Sequence, residues 1–136
     1  MELKKEKSCG CIIIKDNKVL LVYEKNMNFW GFPKGHMEKE ENEIETALRE
    51  VKEEVGIDVK INNKKRYVLN YNIRNEIDKT TVLYVAVPKN DKIIMQESEI
   101  EDAKWCNFEE ALNTLTFDDS REMFKQVIED LKTSML

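Results

Sequence analysis

GHMEKEENEIETALREVKEEVGI, residues Gly35 to Ile57, is the stretch that decides the reading. It opens on a turn-forming glycine and from Asn42 takes on helical spacing, with Ile44, Ala47, Leu48, Val51 and Val55 recurring at steps of three and four. That is one apolar stripe, and it predicts a helix over Glu43 to Val55. Asn42 can cap its start, and Glu45 three residues on can return a capping-box bond. Glu43 and Glu45 suit the positive end of the helix dipole. Gly56 stands where a left-handed residue commonly ends a helix.

At about 100° per residue, Glu50 and Glu54 fall together on the flank of the stripe, with Glu53 about a quarter turn further round. Like charges so placed repel by a few tenths of a kcal/mol per pair, so helix stability alone does not favour them. Hard divalent cations such as Mg²⁺ take oxygen ligands, usually one or two carboxylates plus water and substrate phosphate, and this cluster can supply them. The alternative is a solvated acidic face in a chain already rich in glutamate.

The wider pattern discriminates. Gly35, Glu41, Arg49, Glu50, Glu53, Glu54 and Gly56 stand at the spacing Gly-x5-Glu-x7-Arg-Glu-U-x-Glu-Glu-x-Gly-U, with Val51 and Ile57 at the two apolar U positions. The chain's own residue frequencies put a chance match on the order of one in a million. The pattern resembles the signature of the Nudix (MutT-related) hydrolases, and every fixed position is met. The resemblance implies an α/β fold, an α/β/α sandwich around a mixed β-sheet. It further implies hydrolysis of a nucleoside diphosphate linked to another group, by water attack at phosphorus with Mg²⁺, or Mn²⁺ in its place.

The same resemblance implies roles for residues. Glu50, Glu53 and Glu54 match the family's metal-binding glutamates, and which of them also acts as base varies among members. Gly35 joins the metal-binding set. Arg49 and Glu41 are expected to hold loop and helix together through a charge-assisted pair, and Gly35, Glu41 and Gly56 shape the motif. The family also carries a downstream loop glutamate that binds metal or serves as base. Here the candidate is Glu99, six residues before Trp105, with Glu97 and Glu101 close by. Its ordinary alternative is a solvated loop acid.

Length and composition bound the rest. At 136 residues the chain fits one domain, 1–136, and no Pro/Gly/Ser-rich linker, charge block or repeat divides it. The N-terminal MELKKEK is basic, but Ile12 to Ile14 is far too short for a signal-peptide core or a membrane span, so a cytoplasmic protein is expected. Cys9, Cys11 and Cys106 form no zinc pattern and no disulfide framework, and read as small reduced core residues. A net charge of −5 and a pI near 5.1 argue against extended nucleic acid held on a basic face. The expected partner is a small-molecule nucleotide, bound by a monomer without a membrane.

Outward from the signature, Ser8 to Ile14 and Val19 to Tyr23 read as a hairpin around Lys15-Asp16-Asn17-Lys18. Glu24 to Asn28 reads as a loop, and Gly31, Pro33 and Gly35 punctuate the next segment against helix. Asp58 to Tyr71 is strand-compatible. Thr80 to Val87, TTVLYVAV, is the clearest strand, apolar enough for burial on both faces, and Pro88-Lys89-Asn90-Asp91 ends it. Ala103 to Cys106 reads as a short strand, Phe108 to Leu112 as a short helix and Asp118 to Leu131 as a longer one.

Residues outside the signature bear on the substrate. The run from Trp30 to Glu38, with Pro33-Lys34-Gly35-His36 inside it, looks like that of the family's asymmetric diadenosine tetraphosphate hydrolases. Lys34 can offer a mobile cation to a polyphosphate, and His36, the single histidine, can donate to a phosphate oxygen. Lys79 and Tyr84 resemble positions that the subfamily uses to meet phosphate and base, though Tyr84 reads equally as core. Phe117 is a candidate to stack an adenine or to pack in the core. One departure stands out: the subfamily has Gly where this chain has Glu40, so a different turn is expected there, since Gly takes φ > 0 at no steric cost. Two other readings share the signature. One is a nucleoside triphosphate or RNA 5′-end pyrophosphohydrolase on the same core. The other, a non-catalytic nucleotide-binding module, fits poorly with intact glutamates.

Overall fold

Both ends of the signature helix carry their own stop and start chemistry, and in the computed structural model the helix runs over those bounds, α1 from Glu43 to Val55. The Asn42 side chain accepts from the Glu45 N–H at 2.8 Å and the Glu45 carboxylate accepts from the Asn42 N–H at 2.9 Å, closing the capping box. Gly56 ends the helix at φ 71°, its N–H on the Lys52 carbonyl. The structure describes residues 3–90 and 92–134, so Asp91, the last residue of the expected strand terminator, lies outside it, as do Met1, Glu2, Met135 and Leu136.

Seven strands are described: β1 Lys4–Lys15, β2 Lys18–Glu24, β3 Phe29–Gly31, β4 Lys34–His36, β5 Val59–Ile73, β6 Ile77–Pro88 and β7 Ile100–Asn107. Helix α2, Phe108–Thr114, and helix α3, Asp118–Ser134, follow. The order is β3-β2-β1-β6-β5, with β4 on β1 and β7 on β2. Among the described residues only β1 and β6 pair in parallel, so the sheet is mixed. The β1–β2 hairpin turns at Asp16 and Asn17, both with positive φ, which matches the twist of the strands.

Alternation along β6 sorts the core into two layers. Val82, Tyr84 and Ala86 face α1 with Cys9, Cys11, Val51 and Val55. Leu83 and Val85 face the other side, with Ile12, Phe124 and Val127. Helices therefore cover both faces, the α/β/α sandwich that the signature implies. All three cysteines are buried and free, and burial pushes the Cys9 and Cys11 thiols up to about 11 and 12, where they are inert.

Two local expectations change. Strand β1 starts at Lys4 and not Ser8, because Lys4 to Lys7 pair with Ile77 to Thr80. Glu40 takes φ 75°, so the turn before Glu41 keeps the left-handed shape in spite of its side chain. That costs roughly 1–2 kcal/mol relative to glycine.

The first turn of α1 is anchored to the sheet through Glu43, which receives Arg66 Nε and Nη2 at 2.8 Å, Tyr84 Oη at 2.8 Å and Lys7 Nζ at 2.6 Å. Arg66 first, then Lys7 and Tyr84, hold the Glu43 carboxyl far below the usual carboxylate range. An acid whose pKa falls on folding stabilises the protein fully above its unfolded value of about 4.3, and that stability is lost as pH drops further. Glu43→Gln is therefore expected to lower stability at pH 7 by about 1–2 kcal/mol. As pH falls below about 4.3 the gap between its melting temperature and that of the parent chain should narrow steadily, since protonating Glu43 in the unfolded chain removes the advantage its charge has in the fold. Parallel melting curves from pH 7 to 2 would show that Glu43 does not carry this linkage.

Candidate active site

Strand β4 is the seam of the site. Successive side chains on a strand point to opposite faces, so Lys34 and His36 look to one side of β4 and Gly35 to the other, toward α1. There the Glu50 carboxylate lies against the bare Cα: a Cβ on Gly35 would fall 2.0 Å from Glu50 Cδ and Oε2. Gly35 has no positive φ. Space, not backbone conformation, requires glycine here.

Glu50 is fixed from its other side by Arg49, whose Nη1 donates to Glu50 Oε1 at 2.7 Å. Arg49 also grips Glu41 at two points, Nε to Oε2 at 2.6 Å and Nη2 to Oε1 at 2.9 Å, and reaches the His36 carbonyl at 3.0 Å. The fork geometry of a guanidinium suits this bridging. Thr46 Oγ1 and the Glu38 N–H complete the hold on Glu41. Glu53 sits at the outer edge, half exposed, 3.2 Å from Arg49 Nη1.

Glu54 is the buried member, 2% exposed, and its Oε1 accepts the Lys34 N–H at 3.0 Å. Burial above all, then the nearby Glu24, pushes its carboxyl up to about 9. Burial also raises Glu50, opposed by Arg49. Glu99, in the exposed turn 97–99, adds its negative field to Glu24 and to Glu50.

Glu24 itself was not singled out by the sequence. It ends β2 at a register shift in the β2–β7 ladder and is half-buried, its carboxyl raised first by burial and then by Glu99 and Glu50. Among the described residues no three His, Cys, Asp or Glu side chains stand close enough for a ready-made metal cage. Arg49 holds Glu50 and Glu53, and the main chain holds Glu54. The donor set nevertheless fits a hard cation: all carboxylate, with a buried member, Glu54, that burial and then Glu24 push toward its neutral form and whose ionisation a bound cation would favour.

Basic side chains gather across the seam. Lys79 Nζ lies 3.1 Å from His36 Nε2, and Glu6 Oε2 is 3.8 Å from Lys79 and 3.6 Å from His36. Burial first, then Lys34, lowers the Lys79 pKa. Lys34 Nζ stands 5.2 Å over the Phe29 ring, and the half-exposed Phe117 packs on that ring with centroids 5.1 Å apart.

Tyr84 does not join them, which corrects its reading as a substrate contact. It lies five residues from Lys79, hence on the opposite face of β6, 5% exposed with its hydroxyl on Glu43. Trp105 packs on the α1-side core and Trp30 on the α3-side core.

A profile of the NUDIX domain matches residues 4–127. Together with the fold and the carboxylate helix, that match defines the protein as a hydrolase of phosphoanhydride bonds. The chain belongs to the Nudix family. It is 31% identical to the asymmetrical bis(5′-nucleosyl)-tetraphosphatase of Mus musculus over 135 residues, covering 88% of this chain and 91% of that one. The enzyme of the same name from Sus scrofa is also 31% identical, at the same coverage. Among solved structures, an Ap4A hydrolase of C. elegans in a binary complex superposes with a TM-score of 0.84 at 24% identity, over 94% of this chain and 98% of that one. A MutT protein from Methanosarcina mazei Go1 gives 0.82 at 20% identity, over 97% and 99%. These two share the fold. Among the described residues no helix is long and apolar enough to cross a membrane.

Proposed function

We propose that this Nudix hydrolase splits diadenosine tetraphosphate asymmetrically, to ATP and AMP, with Mg²⁺ as its cation and Mn²⁺ as a substitute. The observation that carries this reading is the placement of Lys34 and His36 on one side of β4, with Lys79 3.1 Å from His36 and under the field of Lys34, while Glu50 lies against the other side and Glu54 holds the Lys34 main chain. A polyphosphate chain needs several basic groups along its length, and Lys34, His36 and Lys79 offer such a set on this side of β4. Similarity to enzymes named asymmetrical bis(5′-nucleosyl)-tetraphosphatases supports the same substrate.

Each side chain then has a task. Lys34 and Lys79 neutralise phosphate oxygens, and His36 donates to one of them. Phe117, exposed on Phe29, offers a face to an adenine, a stack worth roughly 1–3 kcal/mol. Glu50, Glu53, Glu54 and Glu99, with Gly35, would hold the divalent cation. When bound, that ion supplies charge neutralisation at the phosphate under attack. A water attacks phosphorus, its proton passes to a carboxylate of this set, and the P–O bond to the leaving nucleotide breaks. Arg49 keeps Glu50 in place and touches no substrate.

The test is a product assay. With Mg²⁺ and a panel of diadenosine polyphosphates, nucleoside triphosphates, sugar nucleotides and triphosphate-ended RNA, the tetraphosphate is expected to be the preferred substrate and to yield ATP and AMP. Two ADP from the tetraphosphate, or cleavage of a triphosphate with the tetraphosphate untouched, overturns the substrate and favours a pyrophosphohydrolase on the same core.

A further inference from the structure

The turn that carries Glu99, residues 97–99, belongs to no helix or strand, so its position is set by what grips it. On one side the preceding loop lies across the end of α1. The Ile94 N–H donates to the Val55 carbonyl and the Gln96 N–H to the Glu54 carbonyl, both at 2.9 Å. These carbonyls are among the last four of the helix, which have no partner inside it. Gly56 permits the approach, since a Cβ there would come within 2.9 Å of Ile94 Cβ.

On the other side stands Lys25, the first residue after β2. Its N–H donates to the Glu99 carbonyl at 2.8 Å and its Nζ to the Glu97 carbonyl at 3.2 Å. One residue thus spans the turn from end to end. The ladder is irregular at this point: Tyr23 opposes Asp102 and Glu24 opposes Ile100, leaving Glu101 unmatched. Such a bulge redirects the residues beside it. Any residue but proline keeps the main-chain bond, whereas the second bond needs a side-chain donor. Among the described residues, no other side chain hydrogen-bonds residues 97–99.

We propose that Lys25 is a positioning residue: through the Glu97 carbonyl its ammonium holds the 97–99 turn so that the Glu99 carboxylate faces Glu50 and Glu24. This rests on the role given to Glu99 under the proposed function. It gives an exposed lysine outside the signature an effect on turnover that acts through another residue.

The test is a double-mutant cycle with diadenosine tetraphosphate and Mg²⁺, using Lys25→Met, Glu99→Gln and the pair. Lys25→Met is expected to lower kcat by about 3- to 10-fold, the scale of one hydrogen bond, with KM nearly constant. Lys25→Arg, which keeps a donor, restores most of the rate. In the Glu99→Gln background Lys25→Met has no further effect, because the group it positions is gone. Amide hydrogen exchange provides a readout independent of turnover: residues 97–100 exchange faster in Lys25→Met and not in Lys25→Arg. An unchanged kcat in Lys25→Met, an equal loss in both backgrounds, or unchanged exchange overturns the proposal. If Glu99→Gln alone runs at the parent rate, the role of Glu99 fails first, a result distinct from a silent Lys25 beside a damaging Glu99→Gln.

Discussion

Glu54→Gln is expected to cut turnover by about 100-fold or more while the fold stays intact, the scale of losing a proton acceptor or charge stabilisation at a reacting phosphate. Glutamine keeps the volume and the amide oxygen that accepts the Lys34 N–H, so the 2%-exposed site remains filled and satisfied. What it loses is the negative charge offered to a divalent cation. Stability should move the other way. In metal-free protein the Glu54 carboxyl is raised to about 9, chiefly by burial. An acid whose pKa rises on folding releases its proton more readily in the unfolded chain, so it destabilises the fold increasingly from about pH 4.3 up to its folded value. Glutamine removes that penalty. In EDTA, Glu54→Gln should melt no lower than the parent chain at pH 5 and higher than it at pH 8. Turnover within twofold of the parent for both Glu54→Gln and Glu50→Gln, at saturating Mg²⁺, would refute the assignment of the carboxylate wall.

The parts of this fold that sequence discloses are those whose chemistry is local. Both ends of α1 are legible because Asn42 and Glu45 bond each other across three residues and Gly56 supplies its own left-handed stop. Strand β6 is legible because burial on both faces leaves an unbroken apolar run from Val82 to Ala86. By contrast, Lys4 to Lys7 are polar and become strand only by pairing with Ile77 to Thr80, more than seventy residues away. Strands β3 and β4, three residues each, exist through their ladders to β2 and β1 and leave no periodicity to read.

The site divides the same way. Glu50, Glu53, Glu54 and Arg49 lie within one helix, where spacing fixes their relative positions. Lys79 comes to His36 only because β4 and β6 flank the same strand, β1. Glu24 leaves no signal, since a glutamate at the end of a strand is ordinary until the ladder turns it toward Glu50 and Glu54. The correction at Tyr84 was within reach of sequence alone. A separation of five along a strand puts Lys79 and Tyr84 on opposite faces, so one of the pair had to leave the phosphate side.

Gly35→Ala is expected to be nearly as damaging to turnover as the loss of Glu50 itself, by about 100-fold, although alanine is the smallest possible addition. Its Cβ would lie 2.0 Å from Glu50 Cδ and Oε2 and 2.6 Å from Oε1. One of the two must give way. The backbone at 35 sits in an ordinary strand of β4, and what the methyl meets is the tip of a flexible side chain, so the carboxylate moves and the sheet stays. In moving, Glu50 leaves the 2.7 Å bond from Arg49, and the acid that Arg49 positions is no longer against β4. The melting temperature should therefore fall little while kcat collapses. Glu50→Gln in the Gly35→Ala background should add almost nothing, because both changes remove the same group from the same place. Wild-type turnover in Gly35→Ala, or losses that multiply in the double variant, would mean that the contact between Gly35 and Glu50 is packing without a catalytic role. A crystal structure of Gly35→Ala with Glu50 undisplaced would say the same.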